Sequence, residues 1–198
     1  DTEYKTASTK IIADGKLKVD FKANNTGTFR RDVVIMRSEN FVDSIYVGQY
    51  DFETDIKGKY KLTYYRDTTY TTTRTLTATV KDRTITLSGM NLNLPYTFDE
   101  QTMSFVLETG SYAGKSGSDY IFTLLLDEKK EYNCNSMSGQ LSHDADGNVV
   151  VPFRSVYGGI EFSTIGLVKL TDNTFDITKL NGYYQTLYRP ILTRVVTK

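Results

Sequence analysis

The 198-residue chain is short of the residues on which many functional sites depend: it has one cysteine, one histidine, three prolines and no tryptophan. The single cysteine, Cys134, excludes an intrachain disulfide and a site built from several thiolates. Any Ser-His-Asp triad or zinc site would have to use His143 alone. The net charge is zero, so no broad positive field attracts nucleic acid or an anionic membrane. These shortages predict a protein that is not an enzyme and does not bind nucleic acid.

Long apolar runs are also absent. No run approaches the roughly 20 residues that a transmembrane helix needs, and the chain does not open on a signal peptide. It opens instead on a polar stretch at Asp1, and we expect a leader or a preceding segment to have been removed. Carboxylates for glycoside cleavage are present, but their separation in space cannot be read from the sequence.

What the chain has in abundance is tyrosine and phenylalanine, 15 and 10 residues, in segments that alternate between polar and apolar side chains. Residues 16–22 alternate, and residues 71–80 place Thr73, Thr75, Thr77 and Thr79 on one face. Alternation with period two is typical of strands with one face in water. No amphipathic helix of three turns is found. The sequence therefore predicts an all-β fold, a closed barrel or a sandwich.

A charged stretch without periodicity, residues 51–57, divides the chain into a module of residues 1–52 and one of residues 53–198. The first module is predicted to contain a three-stranded meander. The second is predicted to close on a long strand in which Pro190 causes a bulge or marks an edge, because proline has no N–H to donate. Strands of the second module are predicted at residues 59–64, 71–80, 84–87, 96–98, 102–107, 119–126, 149–153, 157–162, 167–170, 174–177 and 184–196.

The segments 24–30, 33–35 and 45–49 carry an Asn-Asn-Thr-Gly turn, an arginine, an alternating strand and a closing Val47-Gly48-Gln49. This pattern resembles the end of a BACON domain, a family whose name stands for Bacteroidetes-associated carbohydrate-binding, often N-terminal. The resemblance implies an immunoglobulin-like β-sandwich. Such a sandwich usually has about seven strands, and the first module offers about four. It is therefore expected to be a partial sandwich, either cut at its start or reduced and supported by the second module.

The second module is similar to calycin-like or lipocalin-like antiparallel barrels of Bacteroidetes surface lipoproteins. The similarity rests on the Gly58-Lys59-Tyr60 opening, the meander spacing and the closing strand that ends in residues 195–198. It implies export to the periplasm or the outer-membrane surface, a lipid anchor upstream of Asp1, and a role in capturing polysaccharide or host glycan, or in adhesion.

Aromatic residues supply the main candidate binding site. Sugars present flat C–H faces that stack on aromatic rings, and one member of each Tyr-Tyr pair in an alternating strand must face outward. Outward tyrosines beside charged groups would form a sugar platform, whereas cross-strand tyrosines also stabilise sheets without any ligand. The candidate residues are Tyr64, Tyr65, Arg66, Tyr70, Tyr183, Tyr184, Tyr188 and Arg189.

A weak calcium candidate is formed by Asp144, Asp146 and Asn148, which alternate around Gly147. Oxygen-bearing side chains in such a loop can coordinate Ca²⁺, but the closing glutamate of a full calcium loop is absent. The alternative is a plain hairpin turn, because Asp-Gly is a favoured turn pair and a Val-rich strand follows. No other cofactor is expected.

Three functions remain open from the sequence. The first is a non-catalytic, exported accessory protein that binds glycans or mediates adhesion. The second is a lipocalin-like carrier with a small apolar ligand against Leu76, Phe105, Ile121 and Leu125. The third is a structural spacer or assembly subunit whose exposed barrel edge, marked by Pro190, pairs with a partner strand. The sequence does not give an oligomeric state.

Overall fold

The computed structural model describes residues 7–13 and 16–195. Nineteen strands, one π-helix (Phe52–Ile56) and one 3-10 helix (Ile177–Lys179) lie in this part, so the predicted all-β class is confirmed. No helix among these residues is long and apolar enough to cross a membrane. The strands are β1 (Ala7–Ala13), β2 (Lys16–Phe21), β3 (Arg30–Ser38), β4 (Phe41–Gln49), β5 (Gly58–Tyr65), β6 (Thr73–Lys81), β7 (Thr84–Leu87), β8 (Leu92–Pro95), β9 (Thr97–Asp99), β10 (Ser104–Glu108), β11 (Tyr112–Ser116), β12 (Asp119–Asp127), β13 (Asn133–Cys134), β14 (Ser136–Gln140), β15 (Ser142–His143), β16 (Val149–Pro152), β17 (Ser155–Tyr157), β18 (Ile160–Leu170) and β19 (Tyr183–Arg194).

The second module is a nearly closed antiparallel barrel. Its main sheet runs in the order β11-β12-β18-β19-β5-β6-β7-β8. The two end strands approach so closely at Gly114 that an added Cβ would lie 2.9 Å from Cδ2 of Leu92. Closing a sheet in this way removes the open edges through which strands aggregate.

Alternation along the strands places one side-chain set inside the barrel. Tyr60, Leu62 and Tyr64 of β5 are buried, whereas Lys59 and Lys61 between them are exposed. On β6 the predicted threonine face points outward, and Ala78 and Val80 enter the core. Burying these apolar side chains supplies the main driving force for folding.

A three-stranded sheet in the order β14-β10-β9 contributes large side chains to the same core. Phe105 of β10 lies edge-on to Tyr96 and Phe98, with ring centroids 4.8 and 5.4 Å apart. Gly139 of β14 leaves room for Phe153, since a Cβ there would lie 2.6 Å from that ring. The interior is thus occupied by aromatic side chains of the protein itself.

The closing strand β19 contains the bulge predicted at Pro190. Tyr188 pairs with Tyr65 of β5, but Ile191 pairs with Thr63, so β19 has one extra residue. On its other side β19 pairs with β18 up to Tyr188 and with β16 from Ile191. The strand therefore has neighbours on both sides, and the alternative that Pro190 marks an edge is wrong.

The first module forms two separate two-stranded sheets, β1-β2 and β3-β4. The predicted three-stranded meander is wrong, because β2 pairs with β1 and not with β3. The β3-β4 sheet, called the ribbon below, exposes large apolar side chains on both faces, among them Phe41 and Ile45. A two-stranded ribbon gains little stability from its own packing.

The first module contacts the second through aromatic side chains. Phe29 stacks on His143 of β15 at a centroid distance of 4.4 Å, and Tyr50 and Phe52 lie edge-on to Phe98 at 5.8 and 5.1 Å. Just after the boundary, the guanidinium of Arg194, in β19, donates to the carbonyls of Thr54, Asp55 and Lys57 at the end of the π-helix. Bonds of this kind satisfy carbonyls that the helix leaves without partners. They fix the linker, and the predicted boundary at residue 52, on the barrel.

Some predicted strands differ from those observed. Residues 174–177, predicted as a strand, form a loop that leads into the 3-10 helix, where the Asp176 carboxylate accepts from the Thr178 backbone N–H. Phe175 from this loop covers Phe122 on the outer face of the barrel. The final residues of the predicted closing strand, 196–198, lie outside the described residues.

Candidate functional site

The two Tyr-Tyr pairs divide between the inside and the outside of the barrel, as alternation requires. Tyr64 is buried in the core and Tyr184 packs partly against it. Tyr183 is 40% exposed, and Tyr65 is half-buried on the outer side. Tyr64 therefore cannot present its ring to a ligand, and its assignment to a sugar platform is wrong.

Arg189 lies beside several of the candidate tyrosines and forms one cluster with them. Its guanidinium lies 3.9 Å from the centroid of the Tyr70 ring, and Tyr70 meets Tyr65 edge-on at 5.2 Å. Tyr188 is opposite Tyr65 across the β19–β5 pair but is buried at 6% exposure, so its ring, like that of Tyr64, is closed to a ligand. Arg66, by contrast, is exposed in the loop after β5 and makes none of these contacts.

The loop between β12 and β13 brings charged groups to the same cluster. Nε of Arg189 donates to Oε1 of Glu128 at 2.6 Å. Nζ of Lys130 lies 4.8 Å from the centroid of the Tyr183 ring and 5.8 Å from that of Tyr188. Cations therefore cover one face of the Tyr70 and Tyr183 rings, and a sugar could stack only where a face remains open.

Three residues of this cluster have left-handed backbone: Tyr70, Lys130 and Arg189, with φ of 54°, 62° and 46°. Residues other than glycine adopt this conformation at a cost, and such residues concentrate at functional sites. In Arg189 the cause is the β19 bulge, which turns the side chain toward Glu128 and Tyr70. The fold therefore holds these three residues in backbone conformations that cost free energy.

An open groove follows the strands on both sides of Arg189. Its outer end, about 370 Å³, is lined by the β12–β13 loop, including Glu128 and the 54%-exposed Tyr132. Its inner end, about 360 Å³, lies between β16 and β18 and is lined by Arg154 and Ser163. Arg189 and Glu161 line both cavities, which therefore adjoin each other; the two together are called the Arg189 groove below.

Carboxylates and guanidinium groups alternate along this groove. Nη2 of Arg154 lies 2.7 Å from Oε2 of Glu161, and Arg189 is paired with Glu128. Burial and the neighbouring Glu128 together raise the pKa of Tyr70 to about 12, so this phenol stays protonated at neutral pH. The groove thus offers fixed acceptors, fixed donors and one exposed ring, which is the chemistry that hydroxyl-rich ligands use.

The calcium candidate forms a hairpin turn between β15 and β16. Oδ1 of Asp144 accepts the backbone N–H groups of Asp146 and Asn148 at 3.0 and 2.8 Å. Asn148 Nδ2 donates to both carboxylate oxygens, which lowers the pKa of Asp144. The carboxylate is therefore engaged by the turn itself. No group of three acidic, histidine or cysteine side chains in the described part of the chain could hold a metal ion.

Cys134, in β13, is buried, and its thiol donates to the carbonyl of Ser136 at 3.2 Å. Burial raises the pKa of this thiol to about 11. A thiol of this kind stays protonated and is a poor nucleophile at neutral pH.

The chain matches no protein-family model, no curated protein and no solved structure in three comparisons. The fold and the groove therefore define only a class, that of antiparallel barrel proteins with an open polar groove on their outer surface.

Sequence reasoning found Tyr70, Tyr183, Tyr188 and Arg189 but missed Tyr132, Arg154 and Ser163. Tyr132 follows a charged run, Asp127 to Glu131, which reads as an ordinary solvated loop. Arg154 directly precedes β17, and the pairing of Ser155 with Phe162 across the β17–β18 hairpin brings it beside Ser163. One signal was available: proline has no N–H to donate, so Pro190 predicted the bulge that positions Arg189.

Proposed function

We propose that the protein is a non-catalytic glycan-binding protein that holds a sugar chain in the Arg189 groove. The observation that carries this proposal is the combination of the exposed Tyr132 ring with charged pairs that line two adjoining cavities. The ring would stack on the C–H face of a sugar, and the paired Glu and Arg side chains would bind its hydroxyls. Binding at a cell surface or in the periplasm, as the BACON-like ending implies, belongs to the same proposal.

A binding role suits the charged groups better than glycoside cleavage does. Glu128 and Glu161 are each held in an ion pair with an arginine. A glycosidase needs one carboxylic acid that stays neutral until it donates its proton. The groove carboxylates are therefore proposed to orient hydroxyl groups.

The two other functions have less support. Phe105, Ile121 and Leu125, the proposed lining of an apolar carrier, are fully buried and packed within the core. Pro190, the proposed mark of a pairing edge, lies in a strand with neighbours on both sides. No specific observation favours either alternative over binding in the groove.

The experiment is native gel electrophoresis in gels that contain one polysaccharide each: xylan, galactan, laminarin, dextran, polygalacturonate or hyaluronan. At least one is expected to retard the protein, and Tyr132→Ala is expected to weaken binding about tenfold through lost stacking. Tyr46→Ala is the matched control, because Tyr46 in the ribbon is 53% exposed and Tyr132 is 54% exposed. Unchanged mobility in all six gels, or equal loss with both variants, would contradict the proposal.

A further inference from the structure

The inner end of the Arg189 groove contains a buried hydroxyl without a partner. Ser163 is 2% exposed, and its Oγ makes no hydrogen bond within the described residues. Leaving a buried hydroxyl unpaired is unfavourable, because the group has lost its water partners. Such a group in the wall of an open cavity is available to a ligand that can pair with it.

Two neighbouring bulges create this cavity. Leu126 pairs with Thr164 and Asp127 with Phe162, which leaves Ser163 as the extra residue of β18. The second bulge, at Arg189, lies where β19 changes its partner from β18 to β16. Bulges redirect side chains and are frequent beside binding sites. Here they open the sheet between β16 and β18.

The charges of the two ends of the groove differ. The inner end has two arginines, Arg154 and Arg189, and one carboxylate, Glu161. The outer end adds Asp127, Glu128 and Glu131 against Lys129. The inner end is therefore the part of the groove that favours an anion.

Each arginine also has donors beyond those used in its ion pair. A guanidinium carries five N–H groups in a planar fork that fits a carboxylate. Arg154 contacts Glu161 through Nη2, and Arg189 contacts Glu128 through Nε and Nη2. The remaining N–H groups and the Ser163 hydroxyl could donate to one further carboxylate.

We propose that the inner end of the groove binds the carboxylate of an acidic sugar, a uronic acid unit, while the outer end holds its neighbour in the chain. This inference rests on the proposed glycan binding and adds its ligand class. Glu161 competes with the ligand for Arg154, so it limits the affinity and excludes anions that offer no other contacts.

The test compares polygalacturonate with its methyl ester, since the two polymers differ only in the free carboxylate. Binding is measured by calorimetry in EDTA. The acid is expected to bind at least tenfold more tightly than the ester. Arg154→Gln is expected to remove this preference, whereas Arg66→Gln, at an exposed arginine outside the cavity, leaves it unchanged. Ser163→Ala removes only an unpaired hydroxyl, so it should fold and bind the acid a few-fold less tightly.

The variant Glu161→Gln distinguishes a site that binds a ligand carboxylate from a site that binds neutral ligand hydroxyls. At a carboxylate site the variant loses a competitor and binds polygalacturonate more tightly; at a hydroxyl site it loses an acceptor and binds less tightly. Equal affinity for acid and ester, or weaker binding of the acid by Glu161→Gln, overturns the inference and leaves the proposed glycan binding intact. Absence of binding to every polysaccharide, acidic or neutral, overturns both.

Discussion

The barrel and the ribbon are built from the same kind of sequence and reach different structures. Both have strands of alternating apolar residues, and both expose tyrosines. In the barrel, strands from distant parts of the chain pair, and Tyr60, Phe105 and Leu187 are fully buried. In the ribbon, β3 pairs only with β4, its neighbour in the chain, and Ile45 stays 54% exposed.

The difference shows what alternation does and does not specify. It specifies extended backbone and assigns side chains to two faces. It does not specify what covers those faces, which depends on pairing between strands that lie far apart in sequence. The barrel has that pairing and so has a core; the ribbon is held against the barrel by the residues that flank it in the chain, Phe29 on His143 and Tyr50 on Phe98.

The largest expected effect is the loss of stability when a core side chain is shortened. Phe105→Ala should lower the free energy of unfolding by about 3–5 kcal/mol, because it leaves a cavity among Tyr96 and Phe98. Ile45→Ala in the ribbon should change it by less than about 0.5 kcal/mol. Urea denaturation followed by circular dichroism measures both, and similar losses would remove the contrast between the two regions.

A smaller and more local effect is expected where the two regions meet. Phe29→Ala removes the stacking on His143, so the ribbon should open more often while the barrel keeps its protection. Hydrogen exchange should become several-fold faster in residues 30–49 and stay unchanged in β12 and β18. Faster exchange in those barrel strands would show that the regions are one cooperative unit.

The smallest expected effect is a loss of stability in alkali that comes from the barrel alone. Burial raises the pKa of Tyr96 from 10.0 to about 12, and burial also raises that of Tyr60. Below pH 10 both states keep these phenols protonated; as the pH rises from about 10 toward 12, only the unfolded state ionises, so stability falls.

Urea midpoints at pH 9 and pH 11 measure this fall. Tyr96→Phe should reduce the difference between the two midpoints, and Tyr46→Phe in the exposed ribbon should leave it unchanged. An undiminished fall in Tyr96→Phe would mean that this buried phenol is not its source.

Much of the fold could be predicted from the sequence. Period two located β5, β6, β7 and β12 to within two residues, because these strands bury one face and expose the other. Residues 174–177 were mistaken for a strand because Phe175 and Ile177 alternate with polar residues, although Phe175 covers the outside of the barrel. Short strands such as β13 and β15 lack the length to show a period.

The candidate site could be predicted only in part. Arg189 and the tyrosines beside it were predicted because one member of each Tyr-Tyr pair in an alternating strand must face outward. Arg154, Ser163 and Tyr132 have no shared sequence pattern; the β17–β18 pairing brings the first two together, and Tyr132 comes from the β12–β13 loop. Which face of a tyrosine is open depends on cations such as Lys130, which come from another loop.

The most direct test of the account is to map where a sugar chain binds, since the barrel and the ribbon both present exposed aromatic rings. Isotope-labelled protein is titrated with galacturonate tetrasaccharide, and amide chemical shifts are followed by NMR. The account predicts shifts in residues 127–132, 154–163 and 189–191, the segments that line the Arg189 groove. Shifts confined to residues 30–49 would place binding on the ribbon and contradict it.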